Sequence, residues 1–372
     1  MAEPGACRSN LPDGKNVGGH SMSNKKWNVA VVGALGMVGT EMIKTLEMRD
    51  FPVAELRPLD LAEFEGTEVE FAGRKVRTLT ANAENFAGVD IAIFSAGAVA
   101  SLELAPLAVE KGAVVVDNSS AWRMNPECPL VVPEVNPHDL RWHKGIIANP
   151  NCSTIQMVVV LKPLHDRARI KRLVISTYQA ASGAGKRGFE ELRQQTRDLV
   201  EGTNPPSPQA FSYQLAFNVI PQIDVFQEGD YTKEEWKMVK ETQKILGDDS
   251  IKVTATCVRV PVFFSHSESV NIETERKLTA DEARDLLRSA PGVTVIDDPA
   301  DSRYPMPLDA AHTDDTFVGR IREDFSIKNG LNLWVVADNI RKGAALNAVQ
   351  IAEQLVADDL VRACPERSRR VP

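Results

Sequence analysis

Trp27-Asn-Val-Ala-Val-Val32 runs directly into Gly33-Ala-Leu-Gly36-Met-Val-Gly39 and then into Thr40-Glu-Met-Ile-Lys-Thr-Leu-Glu47. The first segment is short, apolar and rich in β-branched residues, which predicts a buried strand. In the last, Val38, Met42, Ile43 and Leu46 recur at helical spacing. The order strand, glycine-rich turn, helix suits a bound pyrophosphate. Glycines let the backbone turn tightly and approach the phosphates, and free N–H groups at the helix start meet their charge. The spacing here is GxxGxxG rather than GxGxxG, so taken alone it also describes a tight turn without a ligand.

The surrounding sequence favours the nucleotide reading. A second apolar run, Val89-Asp-Ile-Ala-Ile-Phe-Ser95, ends in Ala96-Gly97. A helical stretch over Ser101–Lys111 follows, and then a third strand, Ala113–Asp117. Strands alternating with helices predict an α/β fold of the Rossmann type, with a doubly wound parallel sheet binding its ligand beyond the strand C-termini. Ser95, Gly97 and Asn118-Ser-Ser120 all fall at such ends.

The chain has 372 residues, 43% hydrophobic and 25% charged, enough for two globular cores. A formal net charge of -8 argues against nucleic acid or an anionic membrane surface as the main partner. Five cysteines (Cys7, Cys128, Cys152, Cys257 and Cys364) show no CxxC spacing, which fits free thiols in a reducing cytoplasm. No clusters with metal-ligand spacing stand out, and no apolar run is long enough to cross a membrane. Residues 1–24 read as a disordered leader, with Met22 as an alternative start, and 358–372 as a frayed tail.

Chemistry concentrates in Ile146-Ile-Ala-Asn149-Pro-Asn151-Cys152-Ser153-Thr154, followed by an apolar helix. A cysteine in the first turn of a helix faces unpaired N–H groups and the positive end of the dipole, which favour a nucleophilic thiolate. The other four cysteines lie in tails, a Pro-rich loop or a strand. A thiol beside a dinucleotide fold suggests hydride transfer coupled to acyl transfer through a thioester. That chemistry needs a base, a stabiliser for the acyl oxygen and cationic anchors.

His266 suits the base. It falls in the irregular segment between a strand over 252–262, broken by Pro261, and a second strand over 269–275. His138, His143, His165 and His312 read as surface residues. Arg123, just past a strand end, is placed to meet a phosphate. Thr232-Lys-Glu-Glu235 resembles a capping box opening a helix to about Leu246. On it Glu241 and Lys244 share a face, which by spacing alone describes an exposed ion pair.

Several motifs together resemble the aspartate-semialdehyde dehydrogenases. They are Gly33–Gly39, Asp117–Met124, Val132-Pro-Glu-Val-Asn136, Asn149–Thr154, Ser176–Gly185, Arg259–Glu268 and Leu333–Gly343. The resemblance spans about Trp27 to Leu355. It implies that Cys152 attacks L-aspartyl 4-phosphate to form a thioester, which a hydride from NADPH reduces to the semialdehyde. This step serves lysine/diaminopimelate, methionine, threonine and isoleucine biosynthesis. By resemblance His266 is the acid/base partner and Gln179 orients the acyl group. Arg259 holds the substrate carboxylate, Glu241 its amino group, and Arg123 with Lys244 the phosphate, with Asn151 beside them. Gly33, Leu35, Gly36, Met37, Val38 and Gly39 would contact the cofactor, as would Ser95, Gly97, Ser182, Gly183 and Asn339.

One segment departs from the family. Where a Ser/Arg loop commonly grips the 2′-phosphate of NADP, this chain reads Leu59-Asp60-Leu-Ala-Glu63-Phe-Glu65-Gly66. Carboxylates repel a phosphate but accept hydrogen bonds from a ribose hydroxyl, so NAD use is compatible with Asp60 and Glu63.

The expected layout is a dinucleotide-binding domain over 25–151, completed by a C-terminal helix over 343–357. An α+β catalytic and dimerisation domain over 152–342 lies between them. The resemblance implies a homodimer through the second domain's sheet, or a dimer of such dimers. Two alternatives stay open: a reductase for another acyl phosphate, and a dinucleotide-binding protein without catalysis.

Overall fold

The computed structural model describes residues 25–361. The expected leader (with Cys7, His20 and Met22) and the chain beyond Val361 (with Cys364) lie outside the described residues.

Strand β1 (Trp27–Val32), helix α1 (Met37–Met48) and strand β2 (Val53–Asp60) open the fold. A small hairpin, β3 (Glu68–Phe71) and β4 (Arg74–Arg77), and the short β5 (Leu79–Thr80) follow. Next come β6 (Ile91–Phe94), α2 (Ala98–Glu110), β7 (Val114–Asp117) and β8 (Ile146–Ala148). The strands other than the hairpin form one parallel sheet in the order β5-β2-β1-β6-β7-β8. The order reverses beside β1, which opens the crevice where doubly wound sheets bind ligands.

Period-2 alternation explains why these strands are apolar throughout. Val29, Val31, Ile91 and Ile93 face Met42 and Leu46 of α1, while Ala30, Val32, Ala92 and Phe94 face Ala105 and Ala108 of α2. Gly33 and Gly39 are required by space as well as by the turn. A Cβ on Gly33 would lie 2.6 Å from the Ser95 carbonyl oxygen, and one on Gly39 2.0 Å from that of Gly33.

The second domain begins with α3 (Cys152–Ala168), β9 (Ile170–Gln179) and α4 (Gly185–Val200). Helix α5 (Lys233–Leu246) follows the expected capping box, in which Thr232 and Glu235 bond reciprocally, and ends on a left-handed Gly247. Then come β10 (Lys252–Arg259), β11 (His266–Thr274), α6 (Ala280–Ser289), β12 (Val293–Val295), the short α7 (Pro307–Ala310), β13 (Thr316–Asp324) and β14 (Gly330–Ala337). They form a mixed sheet in the order β10-β9-β11-β14-β13-β12. One face packs on α3 through Val160, Leu161, Leu164, Ile175, Val270 and Leu333. The opposite face carries Tyr178 and Trp334, with ring centroids 5.5 Å apart.

The chain returns to the first domain through a π-helical turn, Arg341–Ala345, and helix α8 (Leu346–Ala357). Val349 and Ala352 of α8 join the core beneath α1. Leu360 and Val361, expected in the tail, pack against that same core, so order extends past the predicted end of the helix. Two further readings are corrected. His266 opens β11 rather than lying in an irregular segment, because it pairs with Ala337. His143 is buried, its Nε2 2.9 Å from the Leu360 carbonyl and its Nδ1 accepting the Gly145 N–H.

Candidate active site

A cleft of about 550 Å³ lies where the two domains meet, lined by Val38, Gly97, Asn118 and Ser119 from one side and by residues of the second domain from the other. Cys152 stands at its floor as the first residue of α3, directly after the Asn149-Pro-Asn turn. The wide π turn brings Gly343 against it: a Cβ there would lie 2.8 Å from the Cys152 Cβ.

The helix start does not make this thiol acidic in the protein alone. The Asn151 carboxamide oxygen caps α3 and takes the Ser153 and Thr154 N–H groups, at 3.0 and 3.3 Å. Burial and then the Glu234 carboxylate push the Cys152 thiol up to about 12, against the smaller pull of Arg123, Arg259 and the Ser153 N–H. The expected thiolate is thus opposed by desolvation and one nearby anion.

Sheet register builds the opposite wall. Arg259 at the end of β10 pairs with Gln179 at the end of β9. Antiparallel pairing of Ser267 with Tyr178 brings His266 to the same strand ends. Arg259, Gln179 and His266 therefore form one row across three strands, all buried and all lining the cleft. Arg259 donates to the Ala180 carbonyl at 2.6 Å, and Gln179 to Ser153 Oγ at 2.5 Å and Glu234 Oε1 at 3.2 Å.

His266 Nδ1 accepts the Ala180 N–H at 3.0 Å, so the neutral ring carries its proton on Nε2. That Nε2 has no hydrogen-bond partner among the described residues. Burial and then the Arg259 charge pull the imidazole down to about 3, which keeps it neutral. Gly183 leaves room above this row; a Cβ there would meet an Arg259 guanidinium nitrogen at 2.8 Å and His266 Cε1 at 3.1 Å.

The anion anchors differ from expectation. Glu241 is buried beneath the cleft and does not line it. Its oxygens take the Asn151 N–H at 2.7 Å and Arg123 at 3.1 Å. Lys244 points behind Arg123, where three carbonyls, those of Arg123, Asn125 and Cys128, hold its ammonium at 2.7–2.9 Å. In their place Glu234 and Lys237 face the cleft from the first turns of α5. They pair at 2.9 Å, and Lys237 also meets Asp224 at 3.2 Å. Burial disfavours the Glu234 charge, but Lys237, Asn151 and Gln179 outweigh it and hold the carboxyl at about 2. The same Glu-x-x-Lys spacing at 234–237 was the signal available in the sequence. Arg123 does line the cleft, tied to the Asn149 and Asn118 carbonyls.

On the nucleotide side, α1 and α2 begin at Gly36 and Gly97 with no side-chain cap bond and no acidic residue in the first turn. Both helix starts thus keep N–H groups for an anion. Asn339 and Ser182 are mutually bonded at 3.0 Å on the cleft wall. Asp60 uses Oδ2 to accept the Leu35 N–H at 2.9 Å, which ties the glycine loop to the end of β2. Glu63 is exposed in the short helix Ala62–Phe64 just beyond. Gly33, Leu35, Gly36, Met37, Gly39, Glu63 and Ser95 flank the sheet's C-terminal edge rather than the cleft itself, which Val38 and Gly97 reach.

A thiol set between a doubly wound parallel sheet and a row of arginine, glutamine and imidazole is the arrangement of a dinucleotide-linked oxidoreductase. Residues 28–143 match the family model "Semialdehyde dehydrogenase, NAD binding domain", and 161–342 match "Semialdehyde dehydrogenase, dimerisation domain". The aspartate-semialdehyde dehydrogenase of Aquifex aeolicus is 56% identical over 338 residues, covering 90% of this chain and 99% of its own. That of Bacillus subtilis is 51% identical over 341 residues, with the same coverage. The crystal structure of Vibrio cholerae aspartate semialdehyde dehydrogenase II complexed with ASA aligns with a TM-score of 0.88 at 49% identity, over 90% of this chain and 99% of that one. This chain belongs to the aspartate-semialdehyde dehydrogenase family.

Proposed function

We propose that this protein reduces L-aspartyl 4-phosphate to L-aspartate 4-semialdehyde through a thioester on Cys152, in the biosynthesis of lysine/diaminopimelate, methionine, threonine and isoleucine. The observation that carries this is the single row Arg259–Gln179–His266 facing Cys152, with Glu234, Lys237 and Arg123 completing a site of mixed charge. A substrate with a carboxylate, an ammonium group and an acyl phosphate matches that charge pattern. Arg259 would hold the carboxylate, Glu234 the ammonium group, and Arg123 with Lys237 the phosphate.

Cys152 Sγ bonds to the acyl carbon while the carbon–oxygen bond to phosphate breaks. The electron pair and the thiol proton leave with the phosphate. The two nearby cations lower the cost of sulfur's charge during attack, and Gln179, held by Ser153 and Glu234, orients the acyl group. His266 presents Nε2–H as a donor to the acyl oxygen as negative charge builds there. The nicotinamide, when bound, supplies the hydride that reduces the thioester. Collapse of the resulting thiohemiacetal frees the aldehyde and restores the thiol.

The uncapped starts of α1 and α2 and the clearance above Gly97 fit a dinucleotide pyrophosphate. Asn339 and Ser182 would flank its nicotinamide end. The reading we favour is NADP as cofactor with NAD also accepted, since Glu63 stands exposed just past β2 while Asp60 is partly engaged by the loop. A homodimer in the cytoplasm accompanies this reading. Tyr178 remains exposed and Ser176, Ser269 and Asn271 half-buried on the sheet face opposite α3, where a second copy would pack.

The test is phosphate-dependent oxidation of L-aspartate semialdehyde with NADP and with NAD in parallel. Turnover that disappears in Cys152→Ser supports the reading. Well-folded protein inactive with both cofactors overturns it.

A further inference from the structure

Directly behind the Arg259–Gln179–His266 row lies a second polar row that the reaction as described does not use. Cys257 pairs with Thr177, and Thr177 with Glu268, each two residues further from the cleft on the same core-facing side. Glu268 is fully buried, and neither of its oxygens has a hydrogen-bond partner among the described residues. The apolar interior beyond it, Val270 and Ile272, shows what this face of β11 otherwise contains. A fully buried carboxyl whose one polar neighbour is the Gln156 amide, too poorly placed for a full hydrogen bond, is destabilising, so packing does not account for it.

Facing this row from α3 is Gln156, one helical turn after Cys152 and fully buried. Its Nε2 donates to the His266 carbonyl at 3.4 Å, and its Oε1 has no partner among the described residues. The nucleophile and the imidazole are therefore each backed by a buried polar side chain on their own element. Gln156 stands behind Cys152 on the helix, and Glu268 behind His266 on the strand.

We propose that Gln156 and Glu268 are positioning residues that hold the start of α3 and the start of β11 in register, so that His266 Nε2–H is aimed at the reacting sulfur and acyl oxygen. Burial keeps the Glu268 carboxyl protonated, and the Gln156 amide is the neighbour that pulls the other way. A neutral acid beside a carboxamide supplies both a donor and an acceptor, which a leucine of similar size does not. The charged groups that act on His266 are Arg259 on β10 and Glu234 on α5; Cys152 of α3 lines the same cleft, and Glu268 follows two residues along β11.

The inference rests on the dehydrogenase reading, so its test includes a readout independent of turnover: alkylation of Cys152 by iodoacetamide across pH, followed by mass spectrometry of the Cys152 peptide. Glu268→Leu is expected to keep the melting temperature of the parent or exceed it, because a buried, poorly satisfied carboxyl is removed, and Gln156→Leu to stay close to it, because one long hydrogen bond is lost along with an unpartnered oxygen. Both should slow Cys152 alkylation and move its pH profile upward. If the parent turns over as proposed, both should also lower kcat by about tenfold or more with little change in KM. Glu268→Gln, which keeps the donor and acceptor, should restore parental behaviour, and this variant carries the test if the leucine proteins do not fold. Parental alkylation profiles in both leucine variants would overturn the proposal, as would a Glu268→Gln protein as impaired as Glu268→Leu.

Discussion

Glu234 and Glu241 lie two turns apart on the same face of α5, and Glu234 lines the cleft while Glu241 bonds Arg123 and the Asn151 N–H beneath it. Their substitutions should therefore fail in different ways. Glu234→Gln removes the charge expected to meet the substrate ammonium group. It should lower kcat/KM by roughly a hundredfold, about 2.7 kcal/mol, with the fold intact. Glu241→Ala leaves the Arg123 Nη1 and the Asn151 N–H without their partner in the interior, while the carbonyls of Asn149 and Asn118 still hold the other guanidinium nitrogens, and should lower the melting temperature. Steady-state kinetics beside thermal unfolding separates the two.

Glu234 also raises the Cys152 thiol. With that thiol near 12, alkylation of Cys152 in the protein alone should climb steadily with pH through neutrality and show no plateau below about pH 9. The thiolate fraction is what reacts, and raising pH increases it. Glu234→Gln removes an anion that disfavours the thiolate, so the same reaction should run several-fold faster at a given pH while turnover falls. A plateau near pH 7 in the parent protein would contradict the burial argument.

Gly343 sets the space beside Cys152. A methyl group there would stand 2.8 Å from the Cys152 Cβ, closer than carbon atoms pack, and the π turn has no flexible side chain to yield. Gly343→Ala should displace the thiol and cut kcat/KM by roughly a hundredfold, since misplacement of about 1 Å has that scale of effect. Circular dichroism matching the parent would confirm that the loss is local.

Lys342, one residue earlier, is buried and donates to both Glu134 oxygens at 2.7–2.8 Å and to Gln350 and Asn347. Lys342→Ala strands the Glu134 carboxylate in the interior and should cost about 3–5 kcal/mol, read by denaturant unfolding. Replacing both partners together, as Lys342→Met with Glu134→Leu, should cost less than that single change, because no unpaired charge remains.

Some of this protein was readable before any coordinates. The glycine-rich turn, the Asn-Pro-Asn-Cys helix start and the Thr232–Glu235 capping box are set by neighbouring residues, through steric limits and local hydrogen bonds. The parallel sheet followed from strands that alternate with helices. Cys152 was singled out by its helix start and His266 by a strand break, Arg259 and Gln179 only by motif resemblance, and the structure brings all four to one cleft. The short β12 and the helix α6 were not read: β12 is three half-buried residues whose pairing with β13 comes from distant sequence.

What tertiary structure alone decided is which of two equivalent patterns meets the site. Glu234-x-x-Lys237 and Glu241-x-x-Lys244 repeat the same spacing on one helix face, so helical periodicity cannot tell them apart. Seven residues of rise, about 10.5 Å, separate them along the axis. The docking of α5 against β10 and α3 puts the first pair in the cleft and the second beneath Arg123. The protonation of Cys152 is likewise non-local. The helix start that the sequence displays favours a thiolate, but burial and a carboxylate from another helix reverse it. Local sequence determined the elements and the reactive groups they carry; long-range packing determined their depth, their neighbours and therefore their charge.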